Sequence, residues 1–255
     1  MKRRRPLVKT PDLPRRYVVV IDESDPRPAL DWAVSWARIR SAEIVLGGSP
    51  EDLVFTRTYV AEITAEATAA QQEHPSLEIS AAADGAVDLR SDDLLVVGVA
   101  WARDDPTRMR AARLAGLAPC SVLVVPPAKH PAGVGVVAAI NSLDLARPAV
   151  RFAAAEAELR RQPLTLLHVR ESASRLTRSD IRELQSLVAT EFPTVHVTVQ
   201  TTTGVPAAEI CAVAREAELL VTGSERVPSP ETTLGQIIRM TPVATVIAKA
   251  GFAPA

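Results

Sequence analysis

Few of the 255 residues have the types and spacings that site chemistry needs. Cys120 and Cys211 stand alone, and His74, His130, His168 and His196 are scattered. A zinc site needs paired ligands a few residues apart, so the sequence holds no zinc pattern and no expected metal ligand. Gly133-x-Gly135-x-x-Ala138 spells a dinucleotide fingerprint in letters. It lies before and within a β-branched run, whereas the fingerprint works only between a strand and a helix. A Gly-x4-Gly-Lys-Ser/Thr loop and a Gly-x-Ser-x-Gly elbow are both absent. His168 falls on an apolar run, where a packed, hydrogen-bonded core histidine is the expectation. Cys120 and Cys211 are expected to act as buried small hydrophobes. Asp22, directly after Tyr17–Ile21, is the acid best placed for chemistry; its other role is to cap the turn at Ser24 ahead of Pro26. No residue presents itself as catalytic.

The elements that must position these residues repeat. Tyr17–Asp22 is a short β-branched run ending in an acid, and Val134–Asn141 is a similar run ending in its amide. Asp93–Gly98 is echoed by Glu218–Ser224, and Ala118–Val125 by Thr241–Ala248. Blocks spaced about 120 residues apart and seen twice mean a domain duplication rather than a solenoid. Pro126, Pro127 and Pro131 end the first unit, because proline neither pairs in a sheet interior nor continues a helix. The division is a basic tail over 1–16, a domain over 17–127, a linker over 128–132 and a second domain over 133–250.

In the second unit strands are predicted over 134–140, 164–169, 194–201, 219–222 and 243–247. Helices are predicted over 146–161, 178–190, 206–217 and 231–240. This alternation, with continuously apolar strands, implies a parallel sheet covered on both faces. In the first unit only 83–93 separate the third strand, near 77–82, from the fourth at Leu94, and this segment has poor helix propensity. The third helix there is expected to be missing or a single turn. Trp32 and Trp36 share one helix face; core packing is the default and a partner surface the alternative.

Composition narrows the function classes. Aromatics make up 4% of the chain, so the core must be aliphatic. A net charge of -1 argues against a whole-surface field for nucleic acid or an anionic membrane. The basic start, Met1 to Arg5, lacks a following apolar stretch and is read as a solvated tail rather than a secretion signal or a nucleic-acid arm. The longest apolar run, near 94–102, is half the roughly 18 residues that span a bilayer. Two lone thiols fit a reducing cytoplasm.

Gly204-Val-Pro-Ala-Ala-Glu209-Ile, followed by Glu218-Leu-Leu-Val-Thr-Gly-Ser224, resembles the universal stress protein family. Leu166-Leu-His168-Val and Ala118-Pro-Cys-Ser-Val-Leu-Val-Val resemble its second and last strands. The resemblance implies an α/β fold of two tandem doubly wound parallel five-stranded sheets, each in the order 3-2-1-4-5. It also implies a ligand crevice outside the carboxyl ends of strands 1 and 4. ATP-binding members use an acid after strand 1 and Gly-x2-Gly-x9-Gly-Ser/Thr after strand 4 to hold ribose and phosphates. Glycines suit that loop because the backbone must approach phosphate with its N–H groups turned inward.

Mapped onto this chain, the second-domain site would be Asn141, Gly223, Ser224, Arg226, Gly235 and Gln236. Asp22 and Gly98 are the vestige in the first. The motif is damaged: Asn141 replaces the acid, Arg226 and Trp101 take the second glycine positions, Ala112-Arg113 replace the last pair, and Pro228 and Pro230 enter the second loop. Asp105-Pro106 reads as an N-cap with proline at the first helical position. The implied function is a cytoplasmic stress-response binding or regulatory module with weak or lost ATP binding. Its competitor is an ATP-dependent switch or weak ATPase using the second domain. A third class, an adenine nucleotide alpha hydrolase or electron-transfer-flavoprotein relative, would share the sheet. Family members pair through their last strands, so the two domains are expected to pair within the chain. An unknown protein partner and a homodimer remain open, with neither nucleic acid nor membrane as partner.

Overall fold

Continuous apolar runs make the strands here, and helices with one small-residue face cover them. The computed structural model describes residues 14–21, 26–48, 57–83, 85–100, 106–127, 133–170, 176–224 and 231–249. The first half runs β1 (Arg16–Val20), α1 (Arg27–Arg40), β2 (Glu43–Gly47), α2 (Arg57–Glu73), β3 (Ile79–Ala81), β4 (Leu94–Gly98), α3 (Pro106–Leu117) and β5 (Ser121–Val125). The second runs β6 (Val136–Ile140), α4 (Leu143–Arg160), β7 (Leu164–Arg170), α5 (Arg178–Glu191), β8 (Val197–Thr203), α6 (Pro206–Ala214), β9 (Leu219–Gly223), α7 (Thr233–Met240) and β10 (Ala244–Ala248).

All ten strands join one sheet in the order β3-β2-β1-β4-β5-β10-β9-β6-β7-β8. Each half keeps the order 3-2-1-4-5 with parallel pairing throughout. The halves meet where β5 and β10 pair antiparallel, Val122 opposite Ile247 and Val124 opposite Thr245. Two last strands that would otherwise be open edges thereby satisfy each other.

One sheet face carries α1, α2, α4 and α5 over a core that runs through both halves, from Ile44 and Val96 to Val221 and Leu166. The other face divides. α3 covers Val18, Leu95 and Val122, while α6 covers Val137, Leu167 and Leu220. α7 joins the two clusters, placing Ile238 in the first and Ile237 in the second. No helix among the described residues is long and apolar enough to cross a membrane.

Local signals explain most boundaries. α5 starts on a capping box: Thr177 Oγ1 accepts from the Asp180 N–H, and the Asp180 carboxylate accepts from Thr177. Those bonds, the backbone one first, hold Asp180 below the usual carboxylate range. α1 and α4 both end on a left-handed residue that is not glycine, Ser41 (φ 53°) and Arg161 (φ 54°). The repeat therefore extends to backbone detail. α4 begins at Leu143, three residues before its expected start, because extended Ser142 opens it and Pro148 is taken inside. β8 lies at 197–203, not 194–201, because the chain first turns with Val195 N–H bonded to Phe192 O at 3.0 Å.

Between β3 and β4 the described residues form no helix. Gly85, at φ 83°, turns the chain so that its carbonyl accepts from Gly48 N–H at 2.7 Å. Val87 and Leu89 then pack against the second-face core, in the place a helix would otherwise cover. The end of the segment is fixed by a charge. Asp93 is buried and accepts a two-pronged pair from Arg16, Nε to Oδ1 at 2.9 Å and Nη2 to Oδ2 at 2.6 Å. Arg16 Nη2 also donates to Asp88 O, and Arg90 N–H donates to Asp93.

Removing Arg16 leaves a buried carboxylate without its cation. Arg16→Ala is expected to lower unfolding stability by about 2 kcal/mol, somewhat below the value for fully buried pairs because Arg16 keeps some solvent contact. Urea unfolding checks the loss, and faster amide hydrogen exchange over 85–93 checks its location.

Candidate functional site

The switch point of the second half lies between β6 and β9, paired with Ala138 opposite Val221 and Ala139 opposite Thr222. β6 leads into α4 on one face, and β9 leads on to α7 on the other. Their carboxyl ends bring Asn141, Gly223 and Ser224 to one mouth. Asn141 is exposed, and Gly223 and Ser224 are half-buried. Ser142, the N-cap of α4, makes no side-chain capping bond.

Gly223 has a structural reason to be glycine. A Cβ there would lie 2.4 Å from Leu145 O, in the first turn of α4. The end of β9 thus approaches the helix too closely for any side chain, with or without a ligand. Gly235 and Gln236 sit in the first turn of α7, where free N–H groups could hold a phosphate. Those donors are occupied. Gly235 N–H donates to Thr232 Oγ1 at 3.1 Å, and Gln236 N–H to Thr232 O at 2.9 Å. The Gln236 side chain turns back to Glu231 O at 3.3 Å. Arg226, Pro228 and Pro230 lie outside the described residues.

In the first half Gly98 is buried at the end of β4, opposite Val125. Ala100, two residues on, has both backbone groups engaged by α3. Its N–H donates to Thr107 Oγ1 at 2.9 Å, and its carbonyl accepts from Arg108 Nε at 2.8 Å. Arg108 is buried and spans the halves, Nη1 donating to Ile238 O at 2.6 Å near the end of α7. There it satisfies a helix-terminal carbonyl and complements the negative end of the helix. Sequence reasoning missed Arg108. Its signal was a cation on the same helical stripe as Ala111, Ala112 and Ala115, where a charge needs a buried partner. Asp22, Trp101 and Asp105 lie outside the described residues.

His168 is buried, with Nδ1 3.4 Å from Ile140 O, as a core histidine should be. Burial, followed by the Asp93 charge, pushes the Cys120 thiol up to about 11, so it is inert near neutral pH. Cys211 is buried too. In the Gly204–Ile210 motif, Glu209 folds back over the start of α6 and accepts from Thr202 Oγ1 at 3.0 Å. A Cβ on Gly204 would strike that carboxylate at 2.7 Å. Among the described residues no cluster of His, Cys, Asp or Glu could hold a metal.

This β6–β9 half also carries the decisive sequence match: residues 135–251 match the Universal stress protein family. The second half is a universal stress protein domain. The whole chain has the same architecture as a universal stress protein from Archaeoglobus fulgidus DSM 4304, at 15% identity and TM-score 0.68, covering 93% of this chain and 97% of that one. A protein from Pseudomonas aeruginosa UCBPP-PA14 described as a universal stress protein aligns at 16% identity and TM-score 0.60, covering 93% and 94%. The cytoplasmic domain of a prokaryotic cation chloride cotransporter aligns at 15% identity and TM-score 0.50, covering 94% and 96%. No curated protein matches in sequence. At such identities the structural likenesses establish the fold, and the universal stress protein assignment rests on 135–251.

Two substitutions separate packing from ligand binding in this universal stress protein domain. Gly223→Ala drives a methyl into the Leu145 carbonyl and is expected to destabilise the protein by about 2 kcal/mol in the absence of any nucleotide. Thr232→Ala removes a helix cap, for an expected loss of about 1 kcal/mol. Denaturant titration of the ligand-free protein measures both; an unchanged midpoint for Gly223→Ala contradicts the packing account.

Proposed function

We propose that this chain acts in stress response as a non-catalytic binding or regulatory module in which ATP binding is weak or lost. The observation that carries the reading is that, among the described residues, one backbone donor following the fourth strand of each half serves the protein itself. Thr232 takes the Gly235 N–H in the second half, and Thr107 takes the Ala100 N–H in the first. A phosphate would have to displace these bonds before gaining its own. Gly223 supports the same reading, because close packing against Leu145 accounts for it without a nucleotide. In this reading the tandem halves work together in the cytoplasm on a protein partner, and the damaged loops are what the duplication left behind.

One observation favours a second reading, an ATP-dependent switch or weak ATPase in the second half. Asn141 is exposed at the crevice mouth, and Ser142 leaves the start of α4 without a side-chain cap. On that reading Asn141, Gly223, Ser224, Arg226, Gly235 and Gln236 would line the nucleotide.

Isothermal titration with ATP and magnesium separates the two. The expected result is a Kd weaker than about 100 μM, if heat is seen at all. A Kd of a few micromolar, lost on Asn141→Leu while the thermal midpoint holds, would establish the second reading and sink the first.

A further inference from the structure

The junction between the halves contains a group of side chains that neither reading of the crevice uses. α1 and α4 occupy equivalent places in the repeat and end alike, Arg40 before left-handed Ser41 and Arg160 before left-handed Arg161. Four residues before each arginine the halves differ: Trp36 in α1, Glu156 in α4. All four side chains meet across the junction, on the face above β5 and β10.

Both arginines touch both of the differing residues. The Arg40 guanidinium lies 4.8 Å over the Trp36 ring and pairs through Nη2 with Glu156 Oε1. The Arg160 guanidinium lies 5.0 Å from the Trp36 ring and donates through Nε to Glu156 Oε2 at 3.2 Å. Arg40 Nη1 reaches Tyr17 Oη at 2.6 Å, while Arg160 Nη1 pairs with Glu218. Glu156 and Trp36 are buried, and the arginine side chains are 4% and 10% exposed. Burial holds both guanidinium groups below their ordinary value, Arg40 further so through repulsion by Arg160.

Like halves could not make this arrangement. Two first halves would bring together two arginines and two tryptophans, burying two cations with no carboxylate at these positions. Two second halves would balance charge but lose the indole that both guanidinium groups contact. Only an unlike pair supplies one shared carboxylate and one shared indole.

We propose that the Trp36/Glu156 difference sets partner choice at the β5–β10 junction, so that the first half accepts only a half carrying a carboxylate at the position of Glu156. That half is the second one, of the same chain or of another copy of it. The rule lies in the unlike pair and not in which half carries which residue, so exchanging the two residues should preserve it.

Full-length Trp36→Glu, Glu156→Trp and the exchanged double variant test this by thermal unfolding. Glu156→Trp presents first-half chemistry from both sides and is expected to lower the midpoint by roughly 10 °C. Trp36→Glu keeps the charge balanced and is expected to fall less. The exchanged variant should regain at least half of the Glu156→Trp loss. If Glu156→Trp does not fold, recovery of folded protein on adding Trp36→Glu carries the same support. A Glu156→Trp midpoint equal to wild type, an exchanged variant that falls by the sum of its two single variants, or one that does not fold where either single variant does, overturns the proposal. So does failure of both the exchanged variant and Glu156→Trp to fold.

Discussion

The antiparallel pairing of β5 with β10 is the contact on which the other features depend. Each half is an open five-stranded sheet whose last strand would present unpaired N–H and C=O groups. Pairing the two strands removes both edges and makes a ten-stranded sheet. It also fixes which helices become neighbours. α1 and α4 come together on one face, and α3 and α7 on the other. The buried arginines, Arg40 and Arg160 on the first face and Arg108 on the second, all lie beside this seam. Such charges are tolerable in an interior only where carboxylates or helix-terminal carbonyls lie within reach, from the opposite half for Arg40 and Arg108 and from its own half for Arg160.

The seam also gives the chain a property that an assembly of identical subunits lacks. In a symmetric dimer every contact across the two-fold is repeated with the roles of the subunits exchanged, so both sides carry the same residues. Covalent duplication lifts that constraint, and the two sides can diverge into complementary roles. Trp36 with Glu156 is one such divergence. The cations at the helix ends of the second face are another: Arg108 from α3 reaches Ile238 O near the end of α7, whereas Lys249, just after β10, reaches Gly116 O near the end of α3. The segment over 85–93, which packs Val87 and Leu89 where a helix would lie, is a third.

Glycine was the least reliable guide to the crevice. Gly223 read as a ligand-loop letter and Gly204 as a letter of the family's helix motif, and both have packing reasons: the Leu145 carbonyl for one, the Glu209 carboxylate for the other. A glycine in a sequence says that some backbone or side chain comes close; it does not say whether that neighbour belongs to a ligand or to the protein. The hydroxyl caps were equally silent. Thr232 and Thr107 are unremarkable in type and spacing, yet they hold N–H groups on which a phosphate would depend.

The sequence by itself determined the repeat, the parallel α/β character of the halves and the aliphatic core, because these rest on local periodicity and on apolar runs that survive divergence; the strand order within each half was what the family resemblance implied. The strand ends at Asn141 and Gly223 follow from strand positions in the same way, while a ligand crevice there is what the family resemblance implies. The sequence was wrong by a few residues at the start of α4 and at β8, where a cap and a turn outweighed hydrophobic spacing. Only the tertiary structure decided what the polar residues do. Arg16 with Asp93, Arg40 with Glu156 and Arg108 with Ile238 are separated by long stretches of chain, and no local pattern couples them. Their pairing follows from strand register and the β5–β10 seam, which bring distant charges into one low-dielectric interior where each must find a partner.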